Sequence, residues 1–254
     1  MESKSIAIAC QGGGSHTAFT AGVLTRLLEE KDLPIRALSG TSGGAICALL
    51  AWYGLLLEDR ARGRELLEAF WADNAAVTLW DRFLNHWLVA GARLRGTLAL
   101  PEISPYQVPD FAQEQFRALL EKHVDFPGLK KLIGPGSPDL YVGAVEVCTG
   151  RFHVFHNQRV TVQAILASAA IPNLFRAVKI GPGPDQGLYW DGLFSQNPPV
   201  ADLARSQPDE IWVIQINPST TRQEPRSVDT ILDRRNELAG NLSLEQELRF
   251  IEKI

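Results

Sequence analysis

The chain has 254 residues, of which 45% are hydrophobic and 21% charged, and its formal net charge is −4. This length and composition predict one domain spanning residues 1–254 with a sizeable core, and the acidic balance argues against a nucleic-acid partner. We find neither a signal peptide nor an apolar run of about 20 residues, so we expect a cytoplasmic protein.

The cysteines, Cys10, Cys47 and Cys148, are three in number and all lie in apolar segments. An odd count of this kind indicates buried free thiols in a reducing compartment. No Cys/His spacing typical of zinc sites occurs, and we expect neither a metal nor a cofactor.

The first 60 residues alternate strand and helix signals. An apolar run over residues 5–10 predicts a strand, and residues 15–31 predict an amphipathic helix with Phe19, Val23, Leu24, Leu27 and Leu28 on one face. A second strand over 35–39 and an apolar helix over 43–57 follow the same order. Two successive strand–turn–helix units predict a parallel sheet covered on both faces.

A helical pattern covers residues 60–73. Residues 75–110 then interrupt the alternation of strand and helix signals, and we interpret them as an insertion or a lid. A stripe recurs there at helical spacing: Trp80, Phe83, Leu84, Trp87, Leu88 and Gly91. With basic residues around it, such a stripe suits transient contact with a membrane surface. Packing of the same stripe on the sheet as core is the alternative.

Further elements are predicted toward the C-terminus. Asp110 is a plausible N-cap of a helix to about His123, strands are expected over 140–148 and 151–156, and a helix over 160–170. The continuous apolar run 211–216 predicts a central strand.

The tail over 227–254 has a helical pattern, with Ser243 and Gln246 as a possible capping box. Because the pattern reaches Ile254 in helical phase without a cap, we expect a truncated C-terminus.

The turn Gly40-Thr41-Ser42-Gly43-Gly44 lies between a predicted strand and a predicted helix, the context of a nucleophile elbow. A serine in this turn projects above the sheet at a helix N-terminus, where developing negative charge is favoured. The pattern predicts Ser42 as a nucleophile.

The glycines Gly12, Gly13 and Gly14 occupy the equivalent turn of the preceding unit, so both turns should open at one sheet edge. Free N–H groups in that turn would form an oxyanion hole. The alternative is a non-catalytic lipid- or nucleotide-binding module with these turns as a ligand cradle, although neither a dinucleotide fingerprint nor a P-loop is complete.

Asp191 is the best candidate for the general base. The histidines all precede residue 157, which makes a late catalytic histidine hard to build, although His153 and His156 remain alternatives. Asp191 follows an aromatic pair, and a partly apolar wall would raise its basicity by desolvation.

Together, Gly12 to Gly14, Gly40 to Gly44 and Asp191-Gly192 resemble the motifs of the patatin-like phospholipase family, as does the segment from Ala167 to Pro172. The resemblance extends from about Ile6 to Ile216.

The resemblance implies a three-layer α/β/α sandwich with a mostly parallel sheet. It further implies a lipid acyl hydrolase acting on phospholipid or lysophospholipid esters, with Ser42 and Asp191 as a catalytic dyad and the glycine turn as the oxyanion hole. Three positions depart from the family's usual residues: His16 and Thr17 after the glycine run, and Leu193 after the Asp-Gly pair.

Overall fold

The middle layer of the molecule is a mixed sheet, seen in a computed structural model that describes residues 4–74, 104–107, 109–172 and 174–252. Its strands are β1 (Ile6–Cys10), β2 (Ile35–Thr41), β3 (Asp139–Glu146), β4 (Phe152–His156), β5 (Val178–Ile180), β6 (Gly187–Asp191) and β7 (Glu210–Ile214). The strand order is β5-β6-β3-β2-β1-β7, with β4 paired to β3. Strands β1, β2, β3 and β7 run parallel to one another. Strands β4 and β6 each pair antiparallel with β3, and β5 pairs antiparallel with β6.

Helices cover both faces of this sheet. They are α1 (Ala18–Glu29), α2 (Gly43–Leu56), α3 (Arg60–Asn74), α4 (Phe111–His123), α5 (Phe126–Leu132), α6 (Val162–Ser168) and α7 (Val228–Ile251). Short 3-10 helices include Gly14–Thr17, Gly192–Phe194 and Ala201–Ser206. The predicted three-layer α/β/α sandwich is confirmed.

The two-residue period of β1 explains how one sheet serves two cores. Ile6, Ile8 and Cys10 face the larger apolar core, which the all-apolar helix α2 dominates. Ala7 and Ala9 face the smaller core beneath α7. Alternating side chains of a strand point to opposite faces, so large residues on one side and alanines on the other set the two layer spacings.

Strand β3 brings β6 to the end of β2. Residues Tyr141 to Val145 of β3 pair with β4 along one edge of the strand. The other edge pairs with β2 as far as Thr41↔Gly143 and then with β6, where Ala144 lies opposite Asp191. The end of β2 and the end of β6 therefore meet at consecutive residues of β3.

Two sequence predictions about the sheet and helix α1 were wrong. Strand β7 is an edge strand rather than a central one, and Trp212 on it is 38% exposed. Phe19, predicted on the buried face of α1, is 62% exposed, while Thr20 and Ala21 are buried instead. The first turn after the glycines is a 3-10 helix, which rotates the buried face relative to a continuous α-helix.

Two further predictions, the capping box at Ser243 and the burial of Cys148, were wrong. Ser243 lies inside α7 and does not begin a helix, so its hydroxyl serves a tertiary contact instead of a capping box. Cys10 and Cys47 are buried as expected, but Cys148 is exposed because β3 ends at Glu146 and the following turn leaves the sheet.

The predicted lid over 75–110 lies almost wholly outside the described residues, and the Trp80 to Gly91 stripe lies entirely outside them. The helix predicted after Asp110 is present as α4, although the Asp110 side chain makes no capping hydrogen bond. Within the described ranges, no helix has both the length and the apolarity needed to cross a bilayer.

Candidate active site

Ser42 occupies the turn between β2 and α2 in a backbone conformation that few residues other than glycine adopt. Its φ and ψ are 58° and −132°, and such a conformation costs a non-glycine residue roughly 1–3 kcal/mol. A side chain at Gly44 would lie 2.2 Å from the Cys10 carbonyl oxygen, so the turn is this tight only with glycine there. The local geometry is that of a nucleophile elbow at the N-terminus of α2.

Ser168 holds this strained turn from beneath. The Ser42 N–H donates to Ser168 Oγ at 3.0 Å, and Ser168 Oγ donates to the Gly143 carbonyl at 2.7 Å. Ser168 is fully buried at the end of α6. The motif from Ala167 to Pro172 was noted in the sequence, but nothing local indicated that its serine would support the elbow.

Replacing Ser168 with alanine is expected to lower the free energy of unfolding by roughly 2 kcal/mol or more. The substitution leaves the Ser42 N–H and the Gly143 carbonyl buried without partners, and each orphaned group costs about 1–3 kcal/mol. Urea denaturation measures the change.

Ser137→Ala is the matched control for that substitution. The Ser137 hydroxyl also accepts from a backbone N–H and donates to a carbonyl, at Gly134 and Leu132, but near the surface. Water can replace these bonds, so the control should lose less than about 1 kcal/mol. Equal losses in the two variants would contradict a specific supporting role for Ser168.

Asp191 ends β6 and is almost fully buried, at 1% exposure. Its Oδ1 accepts the Leu193 N–H at 2.8 Å, and its own N–H donates to the Ala170 carbonyl at 3.0 Å. Burial raises the pKa of Asp191 to about 7, while the Ser42 side chain and the Leu193 N–H act in the opposite direction. The buried Oδ2 makes no hydrogen bond of regular geometry. The carboxyl group therefore has an unused acceptor beside Ser42.

Ser42 and Asp191 line one cavity of about 290 Å³. They meet there because β6 continues the β3 edge at the point where β2 ends. The rest of the wall comes from the glycine turn, from the segments that follow α6, β6 and β7, and from α7. It includes these residues: Gly13, Gly14, His16, Ile171, Leu193, Asn217, Pro218, Asp233, Asn236 and Glu237.

The glycine turn lies against the elbow, as the parallel pairing of β1 and β2 requires. A Cβ atom on Gly12 would lie 2.3 Å from the Thr41 carbonyl oxygen. Among the hydrogen bonds of the described residues, none is donated by the N–H of Gly13 or Gly14, so both remain open to a ligand.

Gly12 differs from the other two glycines. Its N–H donates to Asn197 Oδ1 at 2.7 Å and is therefore occupied. Of the three glycines predicted as oxyanion donors, only Gly13 and Gly14 have N–H groups without a partner among the described residues. Asn197, which the sequence analysis did not single out, is fully buried and lies six residues after Asp191.

The three departures from the usual family residues have identifiable contacts. His16 is exposed and lines the cavity. The buried Thr17 hydroxyl donates to the Gly14 carbonyl at 2.6 Å and so stabilises the turn. Leu193 lines the cavity and supplies the N–H that Asp191 accepts.

The alternative histidine bases lie elsewhere. His153 Nε2 contacts Asp185 Oδ1 at 2.9 Å, and His156 Nε2 contacts Asp139 Oδ1 at 3.1 Å. Neither histidine lines the cavity that holds Ser42. Across the described part of the chain, we find no group of three or more His, Cys, Asp or Glu side chains arranged to hold a metal ion.

A family model described as patatin-like phospholipase matches residues 8–204. A comparison with curated proteins gives no match.

Solved structures with similarity to the chain include VipD from Legionella pneumophila, at 16% identity and a TM-score of 0.39, covering 74% of this chain and 46% of that one. They also include the ExoU–SpcU complex from the type III secretion system of Pseudomonas aeruginosa, at 17% identity and a TM-score of 0.38, covering 98% and 52%. The chain spans about half the length of these solved chains.

Proposed function

The chain belongs to the patatin-like phospholipase family, and from that membership we propose that it is a lipid acyl hydrolase with Ser42 as nucleophile and Asp191 as general base. The supporting observation is that the elbow serine and a buried carboxyl group with an unused oxygen line the same cavity. The proposed substrates are carboxylic esters of phospholipids, lysophospholipids or related lipids, reached by transient contact with a lipid surface.

The proposed reaction has two steps. Asp191 accepts the Ser42 proton as the serine oxygen attacks the ester carbonyl, and the N–H groups of Gly13 and Gly14 stabilise the oxyanion. Asp191 then returns the proton to the departing alkoxide, which leaves an acyl ester on Ser42. In the second step Asp191 takes a proton from water and the hydroxide equivalent attacks the acyl group. Asp191 then returns this proton to the departing Ser42 oxygen, which releases the fatty acid and restores the free serine.

The proposal is tested by measuring fatty-acid release from phosphatidylcholine, lysophosphatidylcholine and diacylglycerol dispersions. We expect the wild-type protein to release fatty acid from at least one of them. Failure on all three, and on a soluble p-nitrophenyl ester as well, would instead favour the non-catalytic ligand-binding alternative.

The pH dependence of hydrolysis is expected to report the ionisation of Asp191. Because the base must be ionised and its pKa is raised to about 7, kcat/KM should rise with pH and level off above that value. Each pH unit below the midpoint should cost about tenfold in rate. A titration of kcat/KM on a soluble ester between pH 5 and pH 9 measures the midpoint. A profile that is flat down to pH 5 would contradict Asp191 as the base.

A further inference from the structure

The carboxamide of Asn197 holds both backbone groups of Gly12. Asn197 Oδ1 accepts the Gly12 N–H at 2.7 Å, and Asn197 Nδ2 donates to the Gly12 carbonyl at 3.1 Å. A paired contact of this kind fixes the orientation of the peptide groups as well as their position. Since Gly13 follows directly, the direction of its N–H depends on how Gly12 is held.

Helix α7 holds Asn197 in turn. The Asn197 N–H donates to Ser243 Oγ at 3.3 Å, and Ser243 Oγ donates to the Ser195 carbonyl at 2.7 Å. One turn earlier, a Cβ atom on Gly240 would lie 2.7 Å from Asn197 Nδ2 and 3.0 Å from Asn217 Nδ2. The helix thus approaches the two asparagine carboxamides as closely as glycine allows.

A second connection joins α7 to the residue before the glycines. Asn241 Oδ1 accepts from Gln11 Nε2 at 3.0 Å, and Gln11 is fully buried. Gln11 Oε1 accepts the N–H groups of Ile216 and Asn217 at 3.0 and 2.9 Å. Asn217 Nδ2 lies 3.4 Å from the Gly12 carbonyl. Both routes from α7 therefore converge on Gly12.

We infer that α7 is a positioning element of the oxyanion turn, acting through Asn197 and Gln11. The inference rests on the proposed function, because it assigns the Gly13 and Gly14 N–H groups to the oxyanion. Helix α7 lies beyond the residues 8–204 that the family model matches. Its contribution to catalysis is thus separate from the motifs that identify the family.

The expected consequence of disturbing α7 is a loss in kcat rather than in substrate binding. Misdirecting an N–H group costs the charged oxyanion more stabilisation than it costs the neutral ester carbonyl that precedes it, so the loss appears mainly in the transition state. A purely structural role for α7 would instead lower the melting temperature without selectively loosening the glycine turn or lowering kcat.

The experiment compares Gly240→Ala with Gly22→Ala. Both substitutions add one methyl group inside a helix, but a Cβ atom on Gly22 meets nothing within 4 Å, whereas on Gly240 it meets Asn197. Two readouts are taken on folded protein at 25 °C: hydrogen–deuterium exchange of the peptide covering residues 11–17, and kcat and KM on a soluble ester. Ser243→Ala, which removes a contact without adding bulk, serves if Gly240→Ala fails to fold.

In Gly240→Ala we expect faster exchange of the glycine turn and a fall in kcat of about tenfold or more, with KM within about twofold. Ser243→Ala should change both readouts in the same direction by less, and Gly22→Ala should match wild type. Unchanged exchange over residues 11–17 in folded Gly240→Ala or Ser243→Ala would overturn the inference. If wild type hydrolyses no ester, the proposed function fails, while the exchange comparison still decides whether α7 holds the turn.

Discussion

Replacing Ser42 with alanine is expected to reduce ester hydrolysis by about 10⁴-fold or more, because no other hydroxyl lines the cavity among the described residues and covalent catalysis is lost. The cavity places Ser42 beside the open N–H groups of Gly13 and Gly14 and the unused oxygen of Asp191. The loss is measured from initial rates of hydrolysis of a soluble ester. The variant is assayed at a much higher enzyme concentration than the wild type, so that a rate about 10⁴-fold lower can still be detected.

Ser42→Gly separates the chemistry from the backbone strain. It should be as inactive as Ser42→Ala, but more stable by about 1 kcal/mol, because glycine accepts a φ of 58° without steric cost. Substantial residual hydrolysis in either variant would show that the nucleophile lies elsewhere.

Asp191→Asn is expected to lower kcat/KM by about 10²–10⁴-fold, the usual contribution of a general base. The asparagine has nearly the same shape, so Ser42 should stay in place. If Asp191→Asn still binds lipid but no longer hydrolyses esters, the result supports a lipid acyl hydrolase over a non-catalytic binding module. Hydrolysis at more than a tenth of the wild-type rate would exclude Asp191 as the base.

The same substitution should stabilise the fold as the pH rises. The folded-state pKa of Asp191 is about 7, above its unfolded value near 3.9, so its contribution to stability is full below pH 3.9 and is lost as the pH rises through 7. Asparagine cannot ionise. The stability of Asp191→Asn relative to wild type should therefore increase by about 4 kcal/mol between pH 4 and pH 8.

Asp209→Asn is the contrasting control. The Asp209 carboxylate accepts from the Ser5 hydroxyl and N–H, and these bonds lower its pKa. A lowered folded-state pKa stabilises the fold at high pH, so this variant should lose stability at pH 8 and keep its activity. The two variants should change stability with opposite signs, measured by urea denaturation at both pH values, and this difference distinguishes a buried base from an ordinary hydrogen-bonded carboxylate.

The site could be predicted from the sequence where it depends on local signals. Glycines at 40, 43 and 44 around Ser42 specify a tight strand-to-helix turn, and repetition of the unit after β1 specifies a neighbouring parallel strand. Asp191 was predicted as the candidate base from its position after two aromatic residues and before glycine. In each case the sequence signal lies within a few residues along the chain.

The rest depends on contacts between distant segments, which periodicity does not encode. Gly12 and Asn197 are 185 positions apart, so neither the occupied N–H of Gly12 nor the role of Asn197 follows from any local pattern. The edge position of β7 is a property of strand order, which an apolar run alone cannot specify. Ser and Gln three positions apart can begin a helix or lie within one. The sequence alone does not show that the Ser243 hydroxyl donates to the distant Ser195 carbonyl, and so it predicted a helix cap there.

Covalent labelling tests the central claim most directly. After incubation with a fluorophosphonate, intact mass and peptide mapping should show one adduct on wild-type protein, within the peptide that contains Ser42, and no adduct on Ser42→Ala. An adduct that persists in folded Ser42→Ala, or one that maps to a different residue in wild type, would contradict Ser42 as the nucleophile.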